Sequence, residues 1–211
     1  MDIKKEYYKN LANTVLKGFQ KRFIEGHYCE TVEEARKLAL SMVPANSTAS
    51  FGGSVTLGET GVLEALRARE DITLFDRDNA NGPDEVKKIM HNALSCDYYF
   101  MSSNAITADG ELVNIDGNDN RVAALIYGPE NVIILAGMNK IVKTVEEGIS
   151  RTRNLASPQN CIRLNKNTPC AANGVCGNCL SDTICDQIVI TRASRVPNRI
   201  KVILVGEELG F

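Results

Sequence analysis

Short apolar segments alternate with amphipathic helical segments along most of the chain, and this alternation constrains the fold more than any other feature. Four runs are short and apolar enough for buried strands: 47–51, 72–75, 97–101 and 131–136. Helical periodicity is clearest over 5–25, where apolar residues recur every three or four positions. Strands that alternate with helices of about ten or more residues predict βαβ units. We therefore expect an α/β fold with a mostly parallel sheet flanked by helices.

The composition is that of an ordinary globular protein. The chain has 211 residues, of which 44% are hydrophobic and 24% charged, and its formal net charge is −2. A chain of this length forms one large domain, or one domain with a small appendage. The small net charge gives no electrostatic reason to expect nucleic acid or an acidic membrane as a partner. The charged N-terminus lacks the apolar part of a signal peptide, and no stretch approaches the roughly 18 apolar residues of a membrane span, so we expect a cytoplasmic protein.

The segment from Ser102 to Asn139 concentrates polar side chains between short apolar pieces. It offers amides, hydroxyls, carboxylates and one guanidinium, that of Arg121, and its glycines allow sharp turns and close approach to a partner. Polar loop residues held between apolar strands are the usual ligand site of an α/β domain. The segment therefore indicates a ligand site, although a set of well-capped turns would have the same composition.

A second candidate is the turn Gly52–Thr56, with the sequence GGSVT, between a predicted strand and a predicted helix. A strand followed by a glycine turn, hydroxyl residues and a helix directs backbone N–H groups and the helix dipole at an anion. The turn has neither the lysine of a P-loop nor the G-x-G-x-x-G pattern, so it does not indicate nucleotide binding. The alternative is that Gly52 and Gly53 only allow a tight βα turn and bind no ligand.

Five of the seven cysteines lie close together, between Cys161 and Cys185. Four of these follow the spacing C-x5-C-x2-C-x5-C: Cys170, Cys176, Cys179 and Cys185. Four thiolates in so short a segment can surround Zn²⁺ or a [4Fe–4S] cluster, and the spacing does not distinguish the two. The alternative is a set of free or redox-labile thiols. Cys161 is either a fifth member or a small buried residue.

Three stretches together resemble the LUD-domain family, which includes lactate utilisation proteins B and C. They are Gly52–Leu57, the run from Ser103 to Ala124, and Arg195–Ile200 near the end of the chain. The resemblance covers nearly the whole chain and is strongest over 45–145. It is closest to the stand-alone subgroup with a cysteine-rich segment near the C-terminus.

The resemblance implies both a fold and a role. The fold would be similar to that of ribose-5-phosphate isomerase, glucosamine-6-phosphate deaminase and the CoA-transferases. The role would lie near the oxidation of L-lactate, or of a related small hydroxy acid, to the keto acid, together with other lactate-utilisation subunits that carry iron–sulfur centres. Lactate utilisation protein B has an added ferredoxin-like C-x-x-C-x-x-C-x-x-x-C-P run, which this chain lacks. We expect one domain over 1–211, with N-terminal helices over 1–44, a core over 45–155, a cysteine-rich loop over 156–186 and closing strands over 187–211.

For such a role, the predicted site holds a small anionic metabolite. The predicted binding residues come from both candidate segments and from one further lysine: Gly52, Gly53, Ser54, Thr56, Asn104, Thr107, Asn120, Arg121 and Lys140. Arg121 would pair with a carboxylate or phosphate in a forked geometry. Asp116 or Glu59 would transfer the proton. Three of them also have a structural interpretation: Arg121 pairs with Asp119 or Asp116, Glu59 caps its own helix, and Lys140 is solvated.

Two other functions remain open at this point. The fold alone also suggests a sugar-phosphate isomerase-like or acyl-CoA-handling enzyme, and the DGND run at 116–119 is loosely similar to the D-G-A-D element of the isomerases. The third interpretation is a non-catalytic metal-binding or electron-transfer module built on the cysteine cluster. Self-association into a homo-oligomer stays open.

Overall fold

The computed structural model describes residues 2–211, which fold into two sheets and their covering helices. The strands are β1 (Glu25–Cys29), β2 (Thr48–Phe51), β3 (Thr73–Phe75), β4 (Tyr98–Met101), β5 (Ala105–Thr107), β6 (Leu112–Asp116), β7 (Asn131–Gly137), β8 (Ile141–Val142), β9 (Gln187–Thr191) and β10 (Ile200–Val205). The helices are α1 (Ile3–Lys21), α2 (Val32–Ser41), α3 (Val55–Glu59), α4 (Val62–Arg67), α5 (Pro83–Ala93), α6 (Asn120–Ile126), α7 (Val145–Arg151), α8 (Ser157–Arg163) and α9 (Pro169–Asn173). A π-helical turn, Thr152–Ala156, joins α7 to α8.

The central sheet is parallel and has six strands in the order β1-β10-β7-β4-β2-β3. Strands β7 and β10 lie in its interior and pair from Val132 with Ile200 to Gly137 with Val205. Helices cover both faces, as parallel strands require. The predicted α/β fold with a mostly parallel sheet is confirmed.

The central strands supply side chains to two apolar layers, one on each face of the sheet. Ile134 and Val202 pack in the layer that α1 closes, and Ile133 and Ile203 pack in the layer that α2 and α4 close. Successive residues of a strand point to opposite faces, so a continuous apolar run fills both layers at once. This explains why 131–136 is apolar throughout rather than alternating.

The smaller sheet has four strands in the order β8-β5-β6-β9. Strands β5 and β6 form the hairpin predicted at Asp109-Gly110, and Gly110 has a φ of +89°, which favours glycine. Ile106 and Leu112 join the apolar layer under α1. Strand β9 pairs with β6 and brings the chain back beside the site segment.

Three local predictions are wrong. The first helix ends at Lys21 rather than near Gly26, because Phe23 takes a φ of +58° and the next residues form β1. The single helix predicted after Gly53 is broken at Gly61, which has a φ of +68°. The spacing of Ile141, Val145 and Ile149 predicts a helix that starts at Asn139, but the helix begins only at Val145, because the intervening residues form a 3₁₀ turn and the short strand β8.

Across residues 2–211, the helices include none whose length and hydrophobicity would let it cross a membrane.

The contact between α1 and the β5–β6 hairpin leaves no room for a side chain at Gly18. A Cβ there would lie 2.4 Å from the backbone carbonyl carbon of Asp109, a distance that forces the backbone to shift. We expect Gly18→Ala to lower the free energy of unfolding by roughly 1–3 kcal/mol, measured by denaturant titration. The matched control is Gly58→Ala, where a Cβ meets no atom within 4 Å and a helical alanine should be neutral or slightly stabilising. Equal stability of Gly18→Ala and the wild-type protein would contradict this packing.

Candidate functional site

Three neighbouring strands of the central sheet bring polar segments to one edge. The chain leaves β2 into Gly52–Ser54, leaves β4 into Ser102–Asn104, and leaves β7 into the turn that carries Lys140. The carboxyl ends of parallel strands lie at the same edge of a sheet, and ligands of open α/β sheets bind there. The order of these strands therefore assembles the two predicted segments into one place.

A small pocket of about 80 Å³ opens at this edge. Residues from both predicted segments line it: Gly53, Ser54, Thr56, Ser102, Ser103, Asn104, Arg121 and Lys140. The C-terminal Phe211 and the α8 residues Asn160 and Arg163 close it from the other side. A neighbouring cavity of about 310 Å³ shares Gly53, Arg121 and the two α8 residues, so the two spaces form one groove.

Lys140 lies in the wall of the pocket with only 4% of its surface exposed. Its ammonium group donates hydrogen bonds to Thr56 Oγ1 at 2.8 Å and Ser102 Oγ at 3.0 Å, both neutral oxygens. Burial, together with the positive charges of Arg151 and Arg121, lowers the pKa of Lys140 to about 7, and the charge of Glu59 opposes this shift. Near neutral pH this amine therefore exchanges protons, unlike an ordinary solvated lysine.

Arg121 uses its guanidinium to hold the site segment together. Its side chain is 12% exposed and donates to four oxygens: Ser102 O at 3.0 Å, Asn114 Oδ1 at 2.6 Å, Asn104 Oδ1 at 2.9 Å and Ile115 O at 2.6 Å. Its Nε lies 3.5 Å from Asp116 Oδ2. Because both terminal nitrogens already bind protein oxygens, Arg121 shapes the pocket and contributes charge to it rather than offering a free fork.

Positive charge exceeds negative charge around the pocket. Arg121, Lys140 and Arg163 line it, and Arg151 is close enough for its charge to act on Lys140. Arg151 donates to the carbonyl oxygens of Asn104 at 2.6 Å and Asn139 at 3.2 Å. Within residues 2–211, Asp116 is the carboxylate that pairs with Arg121, and the other three cations form no ion pair. Such a charge distribution favours an anionic ligand.

The two predicted proton-transfer residues are held by other contacts. Asp116 accepts hydrogen bonds from the backbone amides of Asn118 and Val122, each at 3.1 Å, and it lines the larger cavity. Glu59 is exposed and accepts a hydrogen bond from the backbone amide of Gly210 at 2.6 Å. Both carboxylates thus order local backbone in the structure.

The structure places the remaining predicted residues in different positions. Asn120 lines the larger cavity. Gly52 is buried behind the pocket, where a Cβ would lie 3.0 Å from Arg121 and from the Tyr99 hydroxyl. Thr107 is buried in the β5–β6 hairpin and bonds Glu111.

Helices after the site segment contribute residues that the sequence analysis does not single out. Arg151, Asn160 and Arg163 come from the continuous helical stretch α7–α8, which is interrupted by the π-helical turn. A π-helical turn inside a helix frequently lies at a functional site, and no residue pattern in the sequence reveals it. The burial of Lys140 is likewise a tertiary property.

The cysteine segment packs against the site loop. Gly117 approaches Ile184 so closely that a Cβ would lie 2.7 Å from the Ile184 Cα. Cys161 and Cys170 are both buried, and burial raises the pKa of the Cys161 thiol to about 11, with the neighbouring Cys170 thiol adding to the shift. The wall of the larger cavity includes Thr183 and Ile184, so this segment borders the groove.

Two other thiols of the segment have polar neighbours. Cys185 Sγ lies 3.3 Å from Ser157 Oγ, and Arg153 donates to Cys176 Sγ at 3.3 Å. Burial opposes ionisation of Cys176, but hydrogen bonds from the Asn178 amide and Arg153 lower its pKa overall. Within residues 2–211, no three Cys, His, Asp or Glu side chains are arranged to hold a metal ion, so the sulfur-ligated centre stays a prediction.

Comparison with known proteins yields one family match and several structural likenesses. The LUD domain matches residues 12–205. The chain is similar to a DUF162-family protein from Deinococcus radiodurans, with a TM-score of 0.51 and 12% identity over 95% of this chain and 98% of that chain. At this identity the likeness concerns the fold alone.

Two further structures are less similar. The eIF2B delta chain from Chaetomium thermophilum has a TM-score of 0.36 and 19% identity over 56% of this chain and 50% of that chain. A chain of the tetrameric eIF2B-beta2-delta2 complex from the same organism has a TM-score of 0.41 and 17% identity over 82% of this chain and 55% of that chain. These TM-scores are too low to support an argument. No curated protein matches the chain.

The domain match spans almost all of the sequence and both candidate segments, and the α/β architecture agrees with the structural likeness. This chain belongs to the LUD-domain family.

Proposed function

We propose that this LUD-domain protein binds a small carboxylate metabolite, a 2-hydroxy or 2-keto acid of the size of lactate, in the pocket beside Lys140. Through this site it takes part in the utilisation of L-lactate or a related hydroxy acid, with iron–sulfur partner proteins as the electron acceptors. The observation that carries the proposal is a buried lysine ammonium group that bonds neutral hydroxyls, lies near two other cations and forms no ion pair within residues 2–211, Glu59 acting on it only through its more distant charge.

The size and chemistry of the pocket support a ligand of this class. The part of the groove beside Lys140 has a volume of about 80 Å³, well below the roughly 300–1,000 Å³ of sites for drug-sized molecules, so this part suits an anionic group of a few heavy atoms such as a carboxylate. A carboxylate would pair with the Lys140 ammonium group. The hydroxyls of Thr56 and Ser102, which already contact that group, would orient the ligand.

The lowered pKa couples ligand binding to the protonation of Lys140. An amine that titrates near pH 7 is partly neutral in the free protein, and it takes up a proton when a carboxylate binds. We therefore assign to Lys140, in its ammonium form, the binding of the carboxylate. Asp116 and Glu59 stay the candidates for removing a proton from the substrate, and backbone amides donate hydrogen bonds to both.

The alternative is a sugar-phosphate isomerase-like or acyl-CoA-handling enzyme, in which the same cations would bind phosphate. A thermal-shift series with L-lactate, pyruvate, ribose 5-phosphate and acetyl-CoA separates these possibilities, because a ligand that binds the folded state raises the melting temperature. The proposal expects stabilisation by lactate or pyruvate. Stabilisation by ribose 5-phosphate or acetyl-CoA alone would favour the alternative.

Carboxylate binding should depend on pH through Lys140. The anion binds the ammonium form of Lys140, so the affinity for the carboxylate is highest below the pKa of about 7. Above this pH the affinity falls roughly tenfold per pH unit, and it levels off at the higher pKa that Lys140 has in the complex. Isothermal titration calorimetry with L-lactate and pyruvate between about pH 6 and 9 measures this. We expect Lys140→Met to bind at least roughly tenfold more weakly at pH 6, without the pH dependence. The exposed neighbour Lys143 gives the matched control, Lys143→Met.

A stability measurement distinguishes lost binding from lost folding. Burial lowers the pKa of Lys140 in the folded state from 10.5 to about 7, so between these values the unfolded state binds more protons and stability rises with pH. Removing the buried charge should therefore make Lys140→Met at least as stable as the wild-type protein below about pH 7, with the difference shrinking at higher pH. A lower melting temperature of Lys140→Met than of the wild-type protein at pH 6 would show that the amine stabilises the fold. A wild-type affinity for the carboxylate that does not change with pH would contradict the role of Lys140 in binding.

Arg121 has a structural role in this proposal, and Arg121→Lys tests it. A lysine has no planar fork and cannot serve all four oxygens that Arg121 binds, so buried acceptors lose their donors. We expect a loss of roughly 2–4 kcal/mol in the free energy of unfolding. Arg163→Lys is the control, because its guanidinium bonds only the Asn160 amide oxygen on its own helix. A loss of ligand affinity at unchanged stability would instead place Arg121 in direct contact with the ligand.

The sulfur-ligated centre is a separate part of the proposal. The thiols of Cys170, Cys176, Cys179 and Cys185 would hold Zn²⁺ or a [4Fe–4S] cluster, and their spacing supports it. Its position beside the larger cavity would suit a redox role.

We expect Cys176→Ser to lose the metal and to destabilise the C-terminal segment, while the layer over 45–145 stays folded. Metal analysis of anaerobically purified protein, with absorbance near ~400 nm for iron–sulfur, measures this. Val175→Ser, at the exposed neighbouring position, is the control. Full metal content in Cys176→Ser, or wild-type protein without stoichiometric metal, would rule out the ligand assignment.

A further inference from the structure

Strand β9, at the border of the smaller sheet, leaves one of its edges open. It pairs with β6 on one side, and among residues 2–211 no strand pairs with its other side. Ile188 and Ile190 on this strand are 46% and 45% exposed. Proteins usually protect an open edge with a lysine, a proline or a bulge, but residues 187–191 (QIVIT) include neither a charged residue nor a proline.

The surface beside β9 is also apolar. Phe23, Ile126, Tyr127 and Val196 are all exposed, Tyr127 to 88%. The first three line a groove together with Val189 and Ile190 of the strand. A contiguous apolar surface next to an open strand edge indicates a protein interface rather than scattered hydrophobic residues.

The sequence around β9 is complementary to itself in one antiparallel arrangement. The run Asp186–Arg192 reads DQIVITR, with Val189 at its centre and opposite charges at its ends. If two copies pair antiparallel about Val189, Asp186 lies opposite Arg192 of the partner subunit, and Ile188 lies opposite Ile190 of the partner subunit. Opposite charges and β-branched pairs directly across antiparallel strands are stabilising.

Other arrangements of the same two strands lack this complementarity. A parallel in-register pair would set like charges side by side, Asp186 by Asp186 and Arg192 by Arg192. An antiparallel pair shifted by two residues would place one of these charges opposite an isoleucine. The charges therefore favour one register, because the alternatives bring like charges together or place a charge opposite an apolar side chain.

We propose that this protein forms a two-fold symmetric homodimer in which the β9 strands of two copies pair antiparallel about Val189. The two four-stranded sheets then join into one sheet of eight strands, and the open edge disappears. Such an interface is isologous, because the same patch serves both copies. Among the candidate partners a second copy fits best, because the complementary charges of this edge lie on the chain itself.

The dimer would also stabilise the wall of the candidate site. Strand β9 pairs with β6, whose last residues Ile115 and Asp116 line the groove beside Arg121. The chain enters β9 directly from Thr183 and Ile184, which border the same cavity. Pairing with a second copy would therefore order the segment that connects the cysteines to the groove.

Charge reversal and charge exchange test the register in the full-length protein. Sedimentation equilibrium over a range of concentrations should give twice the 23.1 kDa mass of one chain for the wild-type protein. Arg192→Asp and Asp186→Arg each place like charges opposite one another, so each should raise the dimer dissociation constant roughly tenfold or more. The double variant, Asp186→Arg with Arg192→Asp, exchanges the charges and should restore the dimer.

The design separates a lost interface from a damaged fold. In the folded chain, the backbone amide of Asp186 donates to Asp116 O, and the guanidinium of Arg22 donates to Arg192 O. Both bonds use the backbone of Asp186 and Arg192, so substitutions of their side chains leave the bonds in place. The melting temperature of each single variant at low concentration should therefore match that of the wild-type protein. A monomeric wild-type protein, a dimer insensitive to both single reversals, or a double variant that stays monomeric would overturn the proposal.

Discussion

The site depends on a buried lysine amine that forms no ion pair with a carboxylate in the described part of the chain. Lys140 lies at the carboxyl end of β7, under the pocket, with two hydroxyls as partners and two guanidiniums nearby. Burying a cation in this way opposes folding, and proteins usually relieve it with an acidic neighbour. The retained positive charge is therefore the clearest sign that the site accommodates an anion, and the same burial brings the amine into the pH range of proton transfer.

The rest of the structure holds that amine in place. Two apolar layers fix the parallel strands whose ends form the pocket, and Arg121 ties the segment after β4 to the end of β6 through four hydrogen bonds. Helices α7 and α8 then close the opening with Arg151 and Arg163. The cysteine segment packs on Gly117 and borders the adjoining cavity, so any metal bound there would lie close to the groove.

The sequence predicts the parts of this arrangement that depend on local patterns. Apolar runs and helical periodicity suffice for the parallel α/β fold, and the GGSVT turn and the polar segment after β4 do line the pocket. Strand β1 escapes prediction because its sequence, EGHYC, is neither apolar nor alternating and becomes a strand only by pairing with β10. Lys140 is identifiable by its type, but its burial comes from packing between strand ends. Arg151 and Arg163 come from helices about 10 to 25 residues beyond the site segment, and no spacing rule connects them to the pocket.

The protonation of Lys140 is the most direct test of this account. Nuclear magnetic resonance of protein labelled with ¹³C at the lysine side chains follows the Cε resonance of each lysine through a pH titration, and Lys140→Met assigns the resonance of interest. We predict one lysine that titrates near pH 7 in the free protein and whose pKa rises when lactate or pyruvate is added, because the anion stabilises the ammonium form. A Lys140 that titrates near 10.5, or whose pKa does not change at saturating carboxylate, would contradict it.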